Sequence, residues 1–249
     1  MLTLSIICFV SLEATDKTLI LYLPFDEVSG KKAEDKSQYG HHATLIKSYK
    51  WVAGKFEKAV EISGEPDAEI IKTKEADTLK IEGEITKMAW VKVTDWTGQG
   101  YMQIIGKNNH NGGEHTSYGP ALKGDGSAIQ AFFGTGNSRP TLQIATKLEK
   151  GTWIHTAASY DGKAMKAYLN GAFVDEKAEK FKFKGTNDSS VRIGCSKDRA
   201  NYVFHGAIDE VVIFSRALTE KEIQEIMKGG LLAVSPRGKL ALTWGGIKG

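Results

Sequence analysis

The sequence predicts an all-β sandwich of antiparallel sheets closed by one short C-terminal helix. Three observations point there. Short runs of alternating apolar and polar residues recur along the chain, each bounded by turn residues. Two of the boundaries, Asp161-Gly162 and Asn170-Gly171, are dipeptides that favour tight hairpins, because both members tolerate positive φ. A segment near residue 220 carries both start and stop signals for a helix.

Taken in order, the runs are Leu19–Phe25, Ala59–Ile62, Met88–Val93, Met102–Ile105 and Ala128–Phe133. They continue with Leu142–Ala145, Trp153–Tyr160, Met165–Leu169, Val191–Gly194 and Val211–Phe214. Side chains alternate across a strand, so Met88, Trp90 and Lys92 share one face and Ala89, Val91 and Val93 the other. The lysine makes the first of these faces partly wet. The helix starts at Thr219, whose side chain and that of Glu222 can satisfy each other's otherwise orphan backbone donors in a capping box. Leu218 can pack on Ile223 as the staple, Ile223, Ile226 and Met227 share one face, and Gly229-Gly230 stops the helix.

Composition narrows the function classes. The chain has 249 residues, 41% of them hydrophobic and 25% charged, with 27 Gly and 5 Pro, which suits a soluble globular protein of one large domain. A formal charge of +3, with Lys and Glu interspersed, leaves no basic stripe for nucleic acid. Residues 1–14 hold an apolar run, Leu2–Leu12, of signal-segment length and too short to span a bilayer comfortably. Nothing basic precedes it, a departure from the signal pattern that a truncated start or a strand of the fold would explain; a cleaved or incomplete signal is the preferred reading. Export to the periplasm, cell surface or medium is therefore expected, with no stable membrane insertion of the mature domain. Cys195 would then be the lone thiol, read as a small buried hydrophobe.

Several short motifs occur in a set order. They are Trp153-Ile154-His155, Tyr160-Asp161-Gly162, Tyr168-Leu169-Asn170-Gly171, Gly206-Ala207-Ile208-Asp209-Glu210-Val211 and Ser215-Arg216-Ala217-Leu218-Thr219-Glu220. Upstream stand Leu21-Tyr22-Leu23-Pro24-Phe25-Asp26-Glu27, Asp35–His42 and Gly54–Ile62. In this order they resemble the LamG-like jelly-roll domains of the concanavalin A-like lectin/glucanase superfamily. The resemblance covers residues 19–228, with 95–150 only loosely patterned. It implies a jelly roll over 15–228, leaving 229–249 as a C-terminal hairpin or tail.

The resemblance also implies a calcium site in many relatives. The first and last strands of such jelly rolls lie close, which would bring Asp26 and Asp209 together at one rim. Asp35 could add a carboxylate and Gly40 or His42 a carbonyl, since calcium takes six to eight oxygen ligands. The alternative is that Asp26 caps a turn and Asp209 makes an ion pair. Glycosidases share the superfamily, and one segment, Glu65-Pro66-Asp67-Ala68-Glu69, has the required carboxylate spacing. Pro66 would break the ladder in the middle of a catalytic strand, so this segment is read as a loop.

For a sugar ligand the candidate surface is the loop from Asn108 to Gly119, with Asn108, Asn109, His110, His115 and Tyr118, joined by Trp96, Tyr101 and Arg139. Flat rings suit the C–H faces of sugars, and amides, imidazoles and guanidinium suit their hydroxyls. A solvated hairpin loop is the competing reading. His155 is expected to be a satisfied sheet histidine. Together these features predict a non-catalytic, secreted module that binds a polysaccharide or glycan and is steadied by Ca2+. A protein-binding adhesion module and a divergent glycoside hydrolase are the alternatives.

Overall fold

The computed structural model describes residues 16–64, 70–107, 117–196, 201–229 and 231. In chain order the strands are β1 (Leu19–Leu23), β2 (Lys32–Ala33), β3 (Ala43–Leu45), β4 (Tyr49–Ala53), β5 (Lys58–Ser63), β6 (Ile71–Thr73), β7 (Ile81–Glu82), β8 (Ile85–Val93) and β9 (Tyr101–Gln103). They continue with β10 (Ile105–Gly106), β11 (Tyr118–Lys123), β12 (Ala128–Phe133), β13 (Thr141–Ala145), β14 (Trp153–Tyr160) and β15 (Ala164–Leu169). Then come β16 (Ala172–Ala178), β17 (Lys184–Gly185), β18 (Arg192–Ile193), β19 (His205–Phe214) and the helix α1 (Glu220–Met227).

One layer is the large antiparallel sheet in the order β16-β15-β14-β8-β19-β5-β4. Strand β19 changes partner along its length. His205–Ile208 pairs with β5, whereas Val211–Phe214 pairs with β1 on the same edge. The second layer combines β10-β18-β6-β3-β2 with β13-β12-β11-β9, linked by a bridge between Lys107 and Tyr118. This is the expected antiparallel two-layer sandwich with one short helix.

The core fills the space between the layers. From the large sheet come Leu21, Val60, Ala89, Val91, Ile208 and Ile213, and from the other Leu45, Ile71, Leu122, Phe133, Ile144 and Ile193. Cys195 is fully buried among them. Among the buried polar residues, Lys87 lies on the inward side of β8, paired with Ala158 and Ile213, and has no exposure at all. Its ammonium donates to the Phe132 carbonyl at 2.7 Å and sits 3.6 Å from the Phe133 ring centroid.

The helix covers part of the outer face of the large sheet. Leu218, Ile223, Ile226 and Leu231 pack there on Leu19, Tyr22, Met88, Ala157, Tyr168, Val212 and Phe214. The capping box forms, with Glu222 N–H donating to Thr219 Oγ1 at 3.3 Å and Thr219 N–H donating to Glu222 Oε2 at 2.8 Å. Thr219→Ala should cost about 1 kcal/mol, measured by urea unfolding, because the first helical turn loses its acceptor.

The hairpin turns form with a difference. Asn170 and Gly171 both have positive φ, 51° and 78°, as a two-residue turn of the expected kind requires. At the other turn only Gly162 is left-handed, and Asp161 accepts from the N–H groups of Lys163 and Ala164 instead. The sequence reading did not anticipate the short strands β2, β3, β6, β7 and β17, nor β4, β11 or β16. Strand β11 contains Gly119-Pro120, residues that weaken a strand interior. Strand β16, AFVDEKA, is an edge strand exposed at every position, so it shows no buried alternation. Residues 1–14 and the catalytic-like segment 65–69 lie outside the described residues, as does the tail apart from Gly229 and Leu231. No helix among the described residues is long and apolar enough to cross a membrane.

Candidate functional site

The outer face of the large sheet divides into three zones along β8. Met88 lies under the helix. Trp90 lies at the helix edge, its indole N–H donating to the Met227 carbonyl at 3.2 Å. Lys92 lies beyond it, with its ammonium 5.1 Å from the Trp153 ring centroid. The expectation that Met88, Trp90 and Lys92 share a partly wet face therefore holds.

The middle zone is a slot of carboxylates. It forms where β19 switches from β5 to β1, because two residues, Glu210 and Val211, oppose one on β8 and Glu210 adopts φ 52°. This bulge lets consecutive acidic residues enter one slot. Asp209 has no exposure; its Oδ2 accepts from the N–H groups of Lys55 at 2.8 Å and Phe56 at 3.2 Å. These donors come from the turn between β4 and β5. A Cβ on Gly54 would lie 2.2 Å from the Phe56 carbonyl oxygen, so only glycine lets the turn close there. Lys55 then places its ammonium 4.3 Å from the Trp90 ring centroid. Asp26, half-buried just beyond β1, accepts from Lys58 N–H at 3.4 Å, and Tyr22 O–H donates to Glu210 Oε2 at 3.0 Å.

These contacts do not satisfy the slot. Asp209 Oδ1 and Glu210 Oε1 are buried without a hydrogen-bond partner. Burial, followed by the neighbouring carboxylates, pushes Glu210 up to about 9. Burial is also the largest cause for Asp209, raised to about 7, and for Asp26, raised to about 6. The slot gathers three carboxyl groups whose charged forms burial disfavours, hard oxygens of the kind that calcium takes as ligands. Among the described residues, however, no group of three or more His, Cys, Asp or Glu side chains is placed to hold a metal ion.

The outcome for the expected calcium shell is divided. Asp26 and Asp209 come within electrostatic reach of each other, within the sheet and not at a rim, since Asp209 is the fifth residue of β19. Asp35 needs correction. Its Oδ1 accepts from Tyr22 and Ser37 N–H, and its Oδ2 from Ser37 Oγ and His41 N–H. His42 Nδ1 accepts from Asp35 N–H, and the Gly40 carbonyl accepts from His42 N–H. Asp35, Gly40 and His42 thus tie down their own loop, with the carboxylate occupied by protein donors. Glu210 was missed. The available signal was a second acidic residue after Asp209 in an otherwise apolar strand, but the bulge that turns it into the slot has no local signature.

The expected sugar surface is also redistributed. Tyr118 is a correction: it is fully buried, its hydroxyl donates to the Leu79 carbonyl at 3.1 Å, and Phe183 packs against its ring. Trp96 leans on the Gly126 backbone and the core. Tyr101 packs edge-on against Tyr202 at 5.8 Å and accepts from Gln130 Nε2 at 3.1 Å. Arg139 lies 4.8 Å from the Phe132 ring centroid. In register, Phe132 stands four residues beyond Ala128, the row of Tyr101, or about 13 Å along the strand. Tyr101 and Arg139 therefore do not make one compact patch. Asn108, Asn109, His110 and His115 lie outside the described residues. His155 is buried in the sheet as expected, but its Nδ1 has no partner, and burial lowers it to about 3.

The third zone, the open end, is the surface that sequence reasoning did not find. Pairing register places Lys50, Glu61, Ala207, Lys92 and Trp153 in one row across β4, β5, β19, β8 and β14. Ser63 and His205, paired with each other, flank the row.

A family model described as the concanavalin A-like lectin/glucanases superfamily, of the laminin G type, matches residues 67–224. The chain belongs to that family. Pappalysin-1 of Mus musculus is 33% identical over 101 residues, which is 39% of this chain and 6% of that protein. The binding domain of Paraclostridial Mosquitocidal Protein 1 superposes with a TM-score of 0.66 at 17% identity, covering 85% of this chain and 52% of that one. The chain thus spans about half of that structure and a small fraction of pappalysin-1. Domain 4 of AbnA, a GH43 extracellular arabinanase from Geobacillus stearothermophilus, was solved in complex with arabinotriose. It superposes with a TM-score of 0.63 at 21% identity, covering 84% of this chain and 98% of that one. At these identities the structural likenesses establish the fold alone.

Proposed function

We propose that this laminin-G-like domain is an exported, non-catalytic carbohydrate-recognition module steadied by one calcium ion. The observation that carries the reading is the open end of the large sheet. There an aromatic ring, a lysine-glutamate ion pair, a serine and an imidazole share a surface that the helix leaves uncovered. Such a mixture suits sugars, which offer apolar C–H faces and hydroxyls together. The arabinotriose-bound domain, whose whole length this fold matches, supports the same ligand class.

Calcium belongs to the carboxylate slot, with Asp26, Asp209 and Glu210 as the residues that would hold it. The ion would neutralise buried charge that the protein leaves uncompensated, and backbone carbonyls and water would complete its oxygen shell. Catalysis is not part of the proposal. Retaining hydrolysis needs two carboxyl groups facing substrate about 5–5.5 Å apart, whereas Asp209 and Glu210 are buried at 0% and 4% exposure.

One observation favours a second reading, a protein-binding adhesion module. Strand β16 is a fully exposed edge on which Phe173 and Val174 are 45% and 42% accessible, and such edges can pair with another strand. A glycan array probed with the full chain in calcium separates the two. Retention by defined polysaccharides is expected, with affinities in the millimolar to micromolar range, about 4–8 kcal/mol. An array without a single retained glycan would leave the adhesion reading standing.

A further inference from the structure

We infer that the open end of the large sheet is the glycan platform, and that its ligand is a neutral polysaccharide chain lying across the strands. This rests on the carbohydrate reading and adds a place, a direction and a charge class to it. The platform is the row Lys50, Glu61, Ala207, Lys92 and Trp153, one residue from each of five neighbouring strands. Four strand spacings of roughly 4.8 Å make it about 19 Å long, enough for a run of several sugar residues.

The row has a built shape. At its centre Ala207, nearly fully buried, carries only a methyl group between the longer side chains of Glu61 and Lys92. Trp153 ends the row on one side as a half-buried ring on which a sugar C–H face can rest. Lys92 is held over this ring without a hydrogen bond to it, so its flexible arm can swing toward a ligand hydroxyl. At the other end a cavity of about 230 Å³ opens among Ser48, Tyr49, Lys50, Glu61 and Ser63. That volume lies below the usual range for drug-sized ligands and suits a single terminal or branching sugar. The Lys50 ammonium and Glu61 carboxylate stand 3.1 Å apart in it, a donor and an acceptor side by side as adjacent sugar hydroxyls require.

Charge pairing selects the class of polysaccharide. Glu61 already neutralises Lys50, and at the neighbouring rim Asp95 pairs with Lys150 at 2.5 Å. A sulfated or uronate-rich chain needs uncompensated cations in register; of the two lysines on this row Lys50 has Glu61 at 3.1 Å, and Lys92, beside the Trp153 ring, has no carboxylate in ion-pair range among the described residues. A neutral chain needs none.

Affinity electrophoresis of the full chain through gels containing single polysaccharides, neutral and acidic, tests this. Wild type should be retarded by at least one neutral polysaccharide, equally at low and high salt. Trp153→Ala should weaken that retardation on the order of tenfold or more, as truncation of an aromatic anchor does. Glu61→Gln, which keeps the side-chain shape, should weaken it several-fold, and Phe173→Ala on the far edge strand should leave it unchanged. Melting curves confirm that each variant is folded; if Trp153→Ala is not, Glu61→Gln decides. Wild-type retardation that survives Trp153→Ala and Glu61→Gln would overturn the platform while leaving the carbohydrate reading intact. Retardation only by acidic chains, and lost in salt, would overturn the ligand class. If no polysaccharide retards the wild type, the carbohydrate reading falls, and the platform with it.

Discussion

Asp209→Asn is expected to stabilise the metal-free protein at pH 8 and to abolish its response to calcium. Asp209 is fully buried with one oxygen unpartnered, and its carboxyl is raised from 3.8 to about 7. A raised carboxyl contributes stability that is complete below the unfolded value, near 3.8, and is lost as the pH rises through about 7. At pH 8 the wild type therefore carries the full cost of burying the charge, up to about 4 kcal/mol at about 1.4 kcal/mol per pK unit. An asparagine oxygen still accepts from the Lys55 and Phe56 N–H groups without that charge. Metal-free Asp209→Asn should melt roughly 5–10 °C above metal-free wild type at pH 8, and the two curves should converge near pH 4. Calcium, but not magnesium, should raise the wild-type melting temperature, EDTA should reverse it, and the variant should respond to neither. Ligand that binds only the native state stabilises by about 2.7 kcal/mol at a hundredfold excess over its dissociation constant. A wild type indifferent to calcium and EDTA would remove the ion from the proposal, whereas a destabilised Asp209→Asn would show that the carboxylate is structurally required as a charge.

Lys87→Met is expected to stabilise the fold at neutral pH as well. The ammonium lies between the two layers, and burial holds it well below its usual 10.5. A depressed lysine contributes stability that is complete above 10.5 and is lost as the pH falls, because only the unfolded chain then takes up the proton freely. The Phe133 ring 3.6 Å away favours the charged form, but cation–π attraction contributes about 2 kcal/mol at best, against a desolvation penalty of several. Methionine fills the same space with a flexible apolar chain. The loss of the hydrogen bond to the Phe132 carbonyl offsets only part of the gain, about 1 kcal/mol. Urea unfolding at pH 7 should show a net gain of about 1–3 kcal/mol, and the rise of wild-type stability between pH 7 and 10 should flatten in the variant. A loss of more than 2 kcal/mol would mean that the rings and carbonyl hold a charged lysine.

Legibility followed the range of the interactions. Strands β12 and β14 were readable to the residue and α1 nearly so, because alternation and capping are local properties. Strand β16 was not, because an exposed edge needs no apolar face, and β11 was not, because Gly119-Pro120 reads as a turn while neighbours on both sides pair it into a sheet. The same distinction governs the candidate sites. That Asp26 and Asp209 lie near each other was legible through the order of motifs. Glu210 depended on a bulge created by a change of pairing partner, and Asp35 was misassigned because its donors come from its own loop and from β1. Tyr118 looked like a rim aromatic because it follows a polar loop, yet the strand alternation beginning there turns it into the core. The row from Lys50 to Trp153 joins five strands separated by long stretches of chain, so only register reveals it.

The most direct measurement of the central claim follows binding and chemistry in one tube. The purified full chain is incubated in calcium with the neutral polysaccharide that retards it, and bound protein and newly released reducing ends are both counted over hours. Retention of the protein with no release of reducing ends is the expected result. Release that rises with protein concentration and disappears in Glu65→Gln and Glu69→Gln would contradict it, making the chain a hydrolase whose catalytic strand was read as a loop.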